Sequence, residues 1–183
     1  MKDIEDCCKR NYKGKKVQLG DPVQIERFRI LKNFVNNEQN SISIGCGSYE
    51  PLLIGTTNAC DIAPIAGTYL REQGFNGSFI VADARNLPFQ YQEFNIAICS
   101  EVIEHMETYQ EVFKVIKEVI RVSKTFLITT PAGFSPDPDH KFHFDEKDMK
   151  FILKGTDYFF IRHDFFFYIT NDKERLLKSI QKN

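Results

Sequence analysis

The sequence has no tryptophan, no CxxC pair and almost no net charge. Its 24 basic and 25 acidic residues leave a formal charge of −1 and a pI near 6.4, which argues against a strongly electrostatic nucleic-acid binder and leaves room only for a local basic patch. Every apolar run falls short of the roughly 18–20 residues that a membrane span needs. The chain opens Met1-Lys2-Asp3-Ile4-Glu5 rather than with a basic segment leading into an apolar one, so a cytoplasmic location is expected. Five cysteines are an odd number and carry no metal-ligand spacing, so neither a disulfide framework nor a structural zinc is indicated. Cys46, Cys60 and Cys99 sit in or beside apolar strands, where a reduced thiol behaves as a small hydrophobe.

What is present is phenylalanine, 17 in 183 residues, with much of the excess in the last third. The length implies one domain over 1–183: a polar, basic leader or lid at 1–20 and a core at 21–183. Asp21-Pro22 is a helix start, and Ile25, Phe28, Leu31 and Val35 recur at helical spacing up to about Asn36. Short strands are then expected at 41–45, 58–61, 79–82, 94–99 and 125–130, with helices near 49–54, 64–72 and 108–123 between them. Near-continuous apolar strands separated by helices mean a parallel sheet covered on both faces. Beyond Pro131 the pattern changes to a loop rich in Pro and Asp, a helix at 145–154, two aromatic strands at 158–161 and 165–169 turning at Arg162-His163-Asp164, and a last polar helix at 171–182. The aromatic pair would close an antiparallel edge and leaves oligomeric state open.

In such sheets ligands bind at the carboxyl ends of the strands. Gly45-Cys46-Gly47, Asp61, Asp83, Ser100-Glu101 and Pro131 all fall at those ends. Glycines there permit positive φ and close backbone approach to a ligand.

This order of motifs resembles the class I S-adenosylmethionine-dependent methyltransferases, in the branch of small-molecule enzymes, over residues 25 to 169. Ser43-Ile44-Gly45-Cys46-Gly47 is similar to the family's first motif, Cys60-Asp61-Ile62-Ala63-Pro64 to the second and Val81-Ala82-Asp83-Ala84 to the third; Leu87-Pro88-Phe89 and Ser100-Glu101-Val102-Ile103-Glu104-His105-Met106 follow as they do there. The resemblance implies a Rossmann-like, doubly wound, mostly parallel sheet of about seven strands with an antiparallel C-terminal hairpin. It implies S-adenosylmethionine as cofactor, with Gly45, Cys46, Gly47, Tyr49, Asp61, Ile62, Asp83, Ala84 and Ser100 around it. Asp61 would meet the ribose and Asp83 the adenine. The sequence departs from the family at Ser43, where an acid is usual, at Tyr49, where a third glycine is usual, and at Asn95, where Asp is common. The gap from Gly47 to Asp61 is short, so the first helix must be abbreviated.

Methyl transfer from a sulfonium needs an aligned acceptor and, for a hydroxyl or amine, removal of a proton. Glu101, Glu104, His105 and His140 are the carboxylates and imidazoles available at the strand ends. If 101–105 is helical, Glu101 shares a face with Glu104 or His105. In one reading Glu101, His105 and His140 are the catalytic groups, with His105 or His140 as general base. In another, Glu101, Glu104, His105 and His140 bind a divalent cation. That arrangement resembles the small-RNA 3′-terminal 2′-O-methyltransferases, whose ligands fall on an ExxEH motif and a DHxF motif; both occur here. A structural reading of Glu104 and His105, as caps at the strand–helix junction, stands beside these. His143 fits the entry to the next helix, and His163 is expected to be solvent-exposed. The leading expectation is methyl transfer to O or N of a small-molecule acceptor. The alternatives are metal-assisted 2′-O-methylation of RNA and a non-catalytic binding protein that keeps the fold.

Overall fold

The computed structural model describes residues 21–181. The basic leader at 1–20, including Cys7 and Cys8, and residues 182–183 lie outside the described residues. Helix α1 (Pro22–Val35) starts where Asp21-Pro22 places it. The Asp21 side chain accepts the Val23 N–H at 2.9 Å, and Asn36 ends the helix with φ 52°. There follow β1 (Ser41–Ile44), α2 (Glu50–Ile54), β2 (Asn58–Asp61), α3 (Pro64–Glu72), β3 (Ser78–Val81) and β4 (Phe94–Ser100). A single 3-10 turn (Ile103–His105) leads into α4 (Tyr109–Val122), then β5 (Ser123–Pro131), α5 (Glu146–Ile152), β6 (Phe159–His163), β7 (Phe166–Thr170) and α6 (Lys173–Gln181). Helix α2 has only five residues, the abbreviated first helix that the short Gly47–Asp61 gap dictates.

The strands form one sheet in the order β3-β2-β1-β4-β5-β7-β6. The first five pair in parallel, and β7 and β6 add antiparallel at the β5 side. This is the doubly wound, mostly parallel, seven-stranded sheet with an antiparallel C-terminal hairpin that the sequence implies. Its direction of winding reverses between β1 and β4, so the ligand crevice of such a sheet opens at Gly45 and Glu101.

Side-chain alternation divides the core into two layers. Ile42, Ile44, Ala97, Cys99, Phe126, Ile128, Phe167 and Ile169 face α4 and α5. Ile96, Ile98, Leu127, Phe166 and Tyr168 face α1 and α6. On β1 the residues that alternate with Ile42 and Ile44 are Ser41 and Ser43, both fully buried. The α1 face therefore becomes polar toward the strand ends, where Ser43, Ser100 and Thr129 meet it.

Two details differ from the sequence pattern. Ile25 is 48% exposed, while Arg27 is buried to 5%, so α1 turns a guanidinium rather than an isoleucine into the layer. The hairpin turns at Asp164-Phe165, so His163 ends β6 and is half-buried, its Nε2 lying 3.5 Å from Glu26 Oε1. Phe166, Phe167 and Tyr168 are core, whereas Phe165 at the turn is exposed. No helix among the described residues is long and apolar enough to cross a membrane.

Candidate active site

The turn after β1 is built by backbone geometry. Gly45 has φ 66° and Gly47 φ 58°. A Cβ on Gly45 would lie 2.4 Å from Val102 Cγ2, so glycine is required there for both conformation and space. The N–H groups of Gly45 and Cys46 both donate to Cys60 O, at 2.9 and 3.1 Å. The Asp61 carboxylate accepts Gly47 N–H through Oδ2 and Ala63 N–H through Oδ1, each at 2.9 Å. Asp61 thus fixes the turn from the neighbouring strand end, and each carboxylate oxygen can accept more than one hydrogen bond. Ile62 beside it is exposed. Cys46 is buried, and burial pushes its thiol well up; the Cys60 thiol is pushed up to about 12, so both are inert at neutral pH. Tyr49 does not sit over the turn as an isolated ring; it packs edge-on against Phe28 of α1, centroids 5.9 Å apart.

Asp83, at the exit of β3, is engaged by its neighbour Arg85. Arg85 Nη2 lies 2.7 Å from Oδ2 and Nε 3.0 Å from Oδ1, and the Arg85 N–H also reaches Oδ1. This bonding holds the Asp83 carboxyl below the usual carboxylate range. Glu111 of α4 clamps the guanidinium from the other side. Ala84, half-buried, follows.

At the end of β4 a polar relay crosses the α1 face. Arg27 Nη1 donates to Ser100 Oγ, Ser100 Oγ lies 2.9 Å from Thr129 Oγ1, and Thr129 Oγ1 donates to Glu101 Oε1 at 3.1 Å. Arg27 can only donate, so the relay starts at the guanidinium, and the single Ser100 proton is shared between Thr129 and Glu50 as acceptors. Glu101 has φ 57°, an uncommon backbone state for a residue with a side chain. Burial raises its carboxyl and Arg27 opposes the rise. Glu50, at the start of α2, is buried to 5% in the same layer; burial pushes it up to about 8, against the pull of Arg27 and the hydroxyls of Ser43 and Ser100.

The second cluster lies on the α4 face. Glu104 is fully buried, and its Oε2 accepts Thr130 Oγ1 at 3.0 Å. Its backbone oxygen accepts the N–H groups of Lys141 and Phe142, at 2.8 and 3.1 Å, which pins the loop after β5 to the 3-10 turn. This brings His140 Nε2 to 4.0 Å from Glu104 Oε1 and its ring edge-on to His105, centroids 4.8 Å apart. His105 Nδ1 lies 3.2 Å from Asp139 O, which places the proton on Nδ1 and turns the Nε2 lone pair outward. One ligand atom each from Glu104, His105 and His140 lies within 4.8 Å of the others. Glu104 Oε1 and His140 Nδ1 are buried without a hydrogen-bond partner. Burial, then Glu101, raises the Glu104 carboxyl well above its ordinary value; burial, then His105, lowers the His140 imidazole. A carboxylate with an unpartnered oxygen beside two imidazoles, one ligand atom from each, fits a divalent cation.

The structure separates Glu101 from this set. Thr129 and Thr130 are adjacent on β5 and point to opposite faces, and Glu101 follows the first while Glu104 follows the second. The segment is not one helix, because Glu101 has positive φ and the 3-10 turn begins only at Ile103. His143 is exposed; its Nδ1 accepts Ser135 N–H at 3.3 Å and its ring leans on Phe134. Arg27 and Glu50 are the site residues that the sequence reading missed. The signal available was their position: a cation inside the apolar stripe of α1, and an acid three residues past Gly47.

Residues 42–128 match the family described as methyltransferase domain. No curated protein sequence matches the chain. Among solved structures the chain is similar to the PH0226 protein from Pyrococcus horikoshii OT3, with TM-score 0.67 and 18% identity over 93% of this chain and 98% of that one. It is similar to a SAM-dependent methyltransferase from Methanosarcina mazei, with TM-score 0.60 and 19% identity over 77% and 94%. It is also similar to magnesium protoporphyrin IX methyltransferase (ChlM) from Synechocystis PCC 6803 with bound SAM, with TM-score 0.60 and 14% identity over 91% and 88%. Sheet order and the glycine turn at the winding reversal agree with these comparisons: the chain has the fold of the S-adenosylmethionine-dependent methyltransferases it is similar to, and residues 42–128 match the methyltransferase domain.

Proposed function

We propose that this enzyme methylates a hydroxyl oxygen of a small acceptor, with a divalent cation held by Glu104, His105 and His140. The observation that carries the reading is that Glu104, His105 and His140 converge where two buried atoms, Glu104 Oε1 and His140 Nδ1, have no hydrogen-bond partner. A fully buried carboxylate with no cationic partner is costly, and so is a buried imidazole nitrogen left without a hydrogen bond. A bound cation would lower the proton affinity of the acceptor hydroxyl and keep the buried carboxylate ionised. The chain's own residues do the rest. Gly45, Gly47 and Asp61 fix the cofactor side. Thr130 orients the Glu104 carboxylate through Oε2, leaving Oε1 for the ligand. The Asp139 carbonyl sets the His105 tautomer. His140, held neutral by burial, keeps its one ring lone pair for the cation, and the hydroxyl proton would leave to water.

The test is methyl transfer to polyhydroxy small molecules after EDTA treatment and after restoring Mn²⁺ or Mg²⁺. Loss and recovery support the cation. Activity indifferent to both leaves His140 or His105 as a metal-free base and excludes the cation. A second reading is supported by the ExxEH segment at 101–105 and the Asp139-His140-Lys141-Phe142 segment: the hydroxyl would be the 2′-OH at the 3′ end of an RNA. Cation-dependent transfer to a short RNA that disappears when its 3′-terminal ribose is oxidised would favour it over the small molecule.

A further inference from the structure

The charged layer on the α1 face has parts that the methyl-transfer step does not use. Arg27 and Glu50 are each buried to 5%, and Glu101 lies in the same layer. If all three are ionised, the layer carries one surplus negative charge. The Arg27 guanidinium spends Nη1 on Ser100 and Nε on Gln24 Oε1, two of its five N–H donors. Glu50 opens α2 three residues after Gly47, and the hydroxyls of Ser43 on β1 and Ser100 on β4 stabilise its charged form by hydrogen bonding. It therefore spans the β1/β4 reversal directly beside the glycine turn. Yet Glu50 Oε1 has no hydrogen-bond partner. An unmade acceptor on a buried carboxylate is expensive unless a ligand supplies the donor.

The cofactor of this family ends in an amino acid, with an ammonium and a carboxylate on one carbon. We propose that Glu50 and Arg27 are the seat for that end: Glu50 Oε1 accepts the α-ammonium and the guanidinium of Arg27 faces the α-carboxylate. Opposite charges on neighbouring helices match the two charges of the ligand. The assignment accounts for the serine at position 43, because the negative charge missing from β1 is delivered from α2. It rests on the reading of the Gly45–Gly47 turn as the cofactor site.

The test uses calorimetry with three probes: S-adenosylhomocysteine, its analogue lacking the α-amino group, and 5′-methylthioadenosine, which lacks the amino-acid end altogether. Wild-type protein should bind S-adenosylhomocysteine roughly 10- to 100-fold more tightly than the deaminated analogue, the range expected for one charge-assisted hydrogen bond. Glu50→Gln should bind those two compounds equally and 5′-methylthioadenosine as wild type does. Adding Ser43→Asp to Glu50→Gln should recover part of the preference. Glu50→Gln that keeps the wild-type preference, or that also loses 5′-methylthioadenosine, would overturn the assignment. Equal binding of all three by wild type would overturn it while leaving the cofactor site standing. Wild-type protein that binds none of them would overturn the cofactor reading itself.

Discussion

Glu101 and Glu104 are three residues apart and end on opposite faces of one sheet. Glu101 looks toward α1, where Thr129 donates to it and Arg27 lies in the same layer. Glu104 looks toward α4, where Thr130 donates to it and two imidazoles lie beside it, while burial, then Glu101, raises its carboxyl and Arg27 opposes that rise. Both are raised by burial, but only the α1 face is built with a cationic side chain of its own. A buried acid layer that contains its own arginine can be part of the scaffold. One that has histidines instead offers the ligand atoms that a cation takes. On the proposed reading the α1 face holds the cofactor and the α4 face carries the acceptor chemistry.

Removing Arg27 should break the comparison most severely. Arg27→Met leaves Glu50 and Glu101 without compensation and should cost about 3–5 kcal/mol in urea unfolding at pH 8, and less at pH 5 where Glu50 is protonated. Equal losses at both pH values would show that Arg27 acts through packing alone. On the other face, Glu104→Gln should lower kcat/KM at least as much as the roughly 10- to 100-fold that loss of a metal site's supporting partner costs, with stability unchanged or increased. A variant that stays active and becomes unstable would reverse the two roles.

Stability against pH sharpens the contrast further. The Glu50 carboxyl is pushed up to about 8 from an ordinary 4.5. Between those values the folded chain keeps a proton that the unfolded chain releases, so stability falls as pH rises from 4.5 to 8 and levels off above it. Glu50→Gln should flatten that slope in a series of urea titrations; an unchanged slope would move its origin elsewhere. The smallest effects belong to the two threonines. Thr129→Val and Thr130→Val should each cost about 1 kcal/mol, yet only Thr130→Val should weaken cation binding.

Much of this arrangement is legible in the sequence. Apolar runs of strand length, each stopped by Gly, Asp or Pro, mark strand ends, and strand ends are where this fold binds. The short Gly47–Asp61 gap implies an abbreviated first helix, and α2 has five residues. The separation of Glu101 from Glu104 is not legible, because a three-residue spacing reads as one helical face; only the positive φ at Glu101 undoes it. Asp83 shows a similar limit, since its bonding to Arg85 depends on a turn rather than on spacing. Arg27 was hidden by the expectation that Ile25 fills the α1 stripe, whereas Ile25 faces outward.

The central claim is that the α4 face, and not the α1 face, receives a divalent cation. Titrating Mn²⁺ into the protein by calorimetry, with wild type, Glu104→Gln, His140→Ala and Glu50→Gln in parallel, tests it most directly. The account predicts one ion per chain in wild type and in Glu50→Gln, and none in Glu104→Gln or His140→Ala. Absence of binding in wild type, or binding untouched by Glu104→Gln, would contradict it.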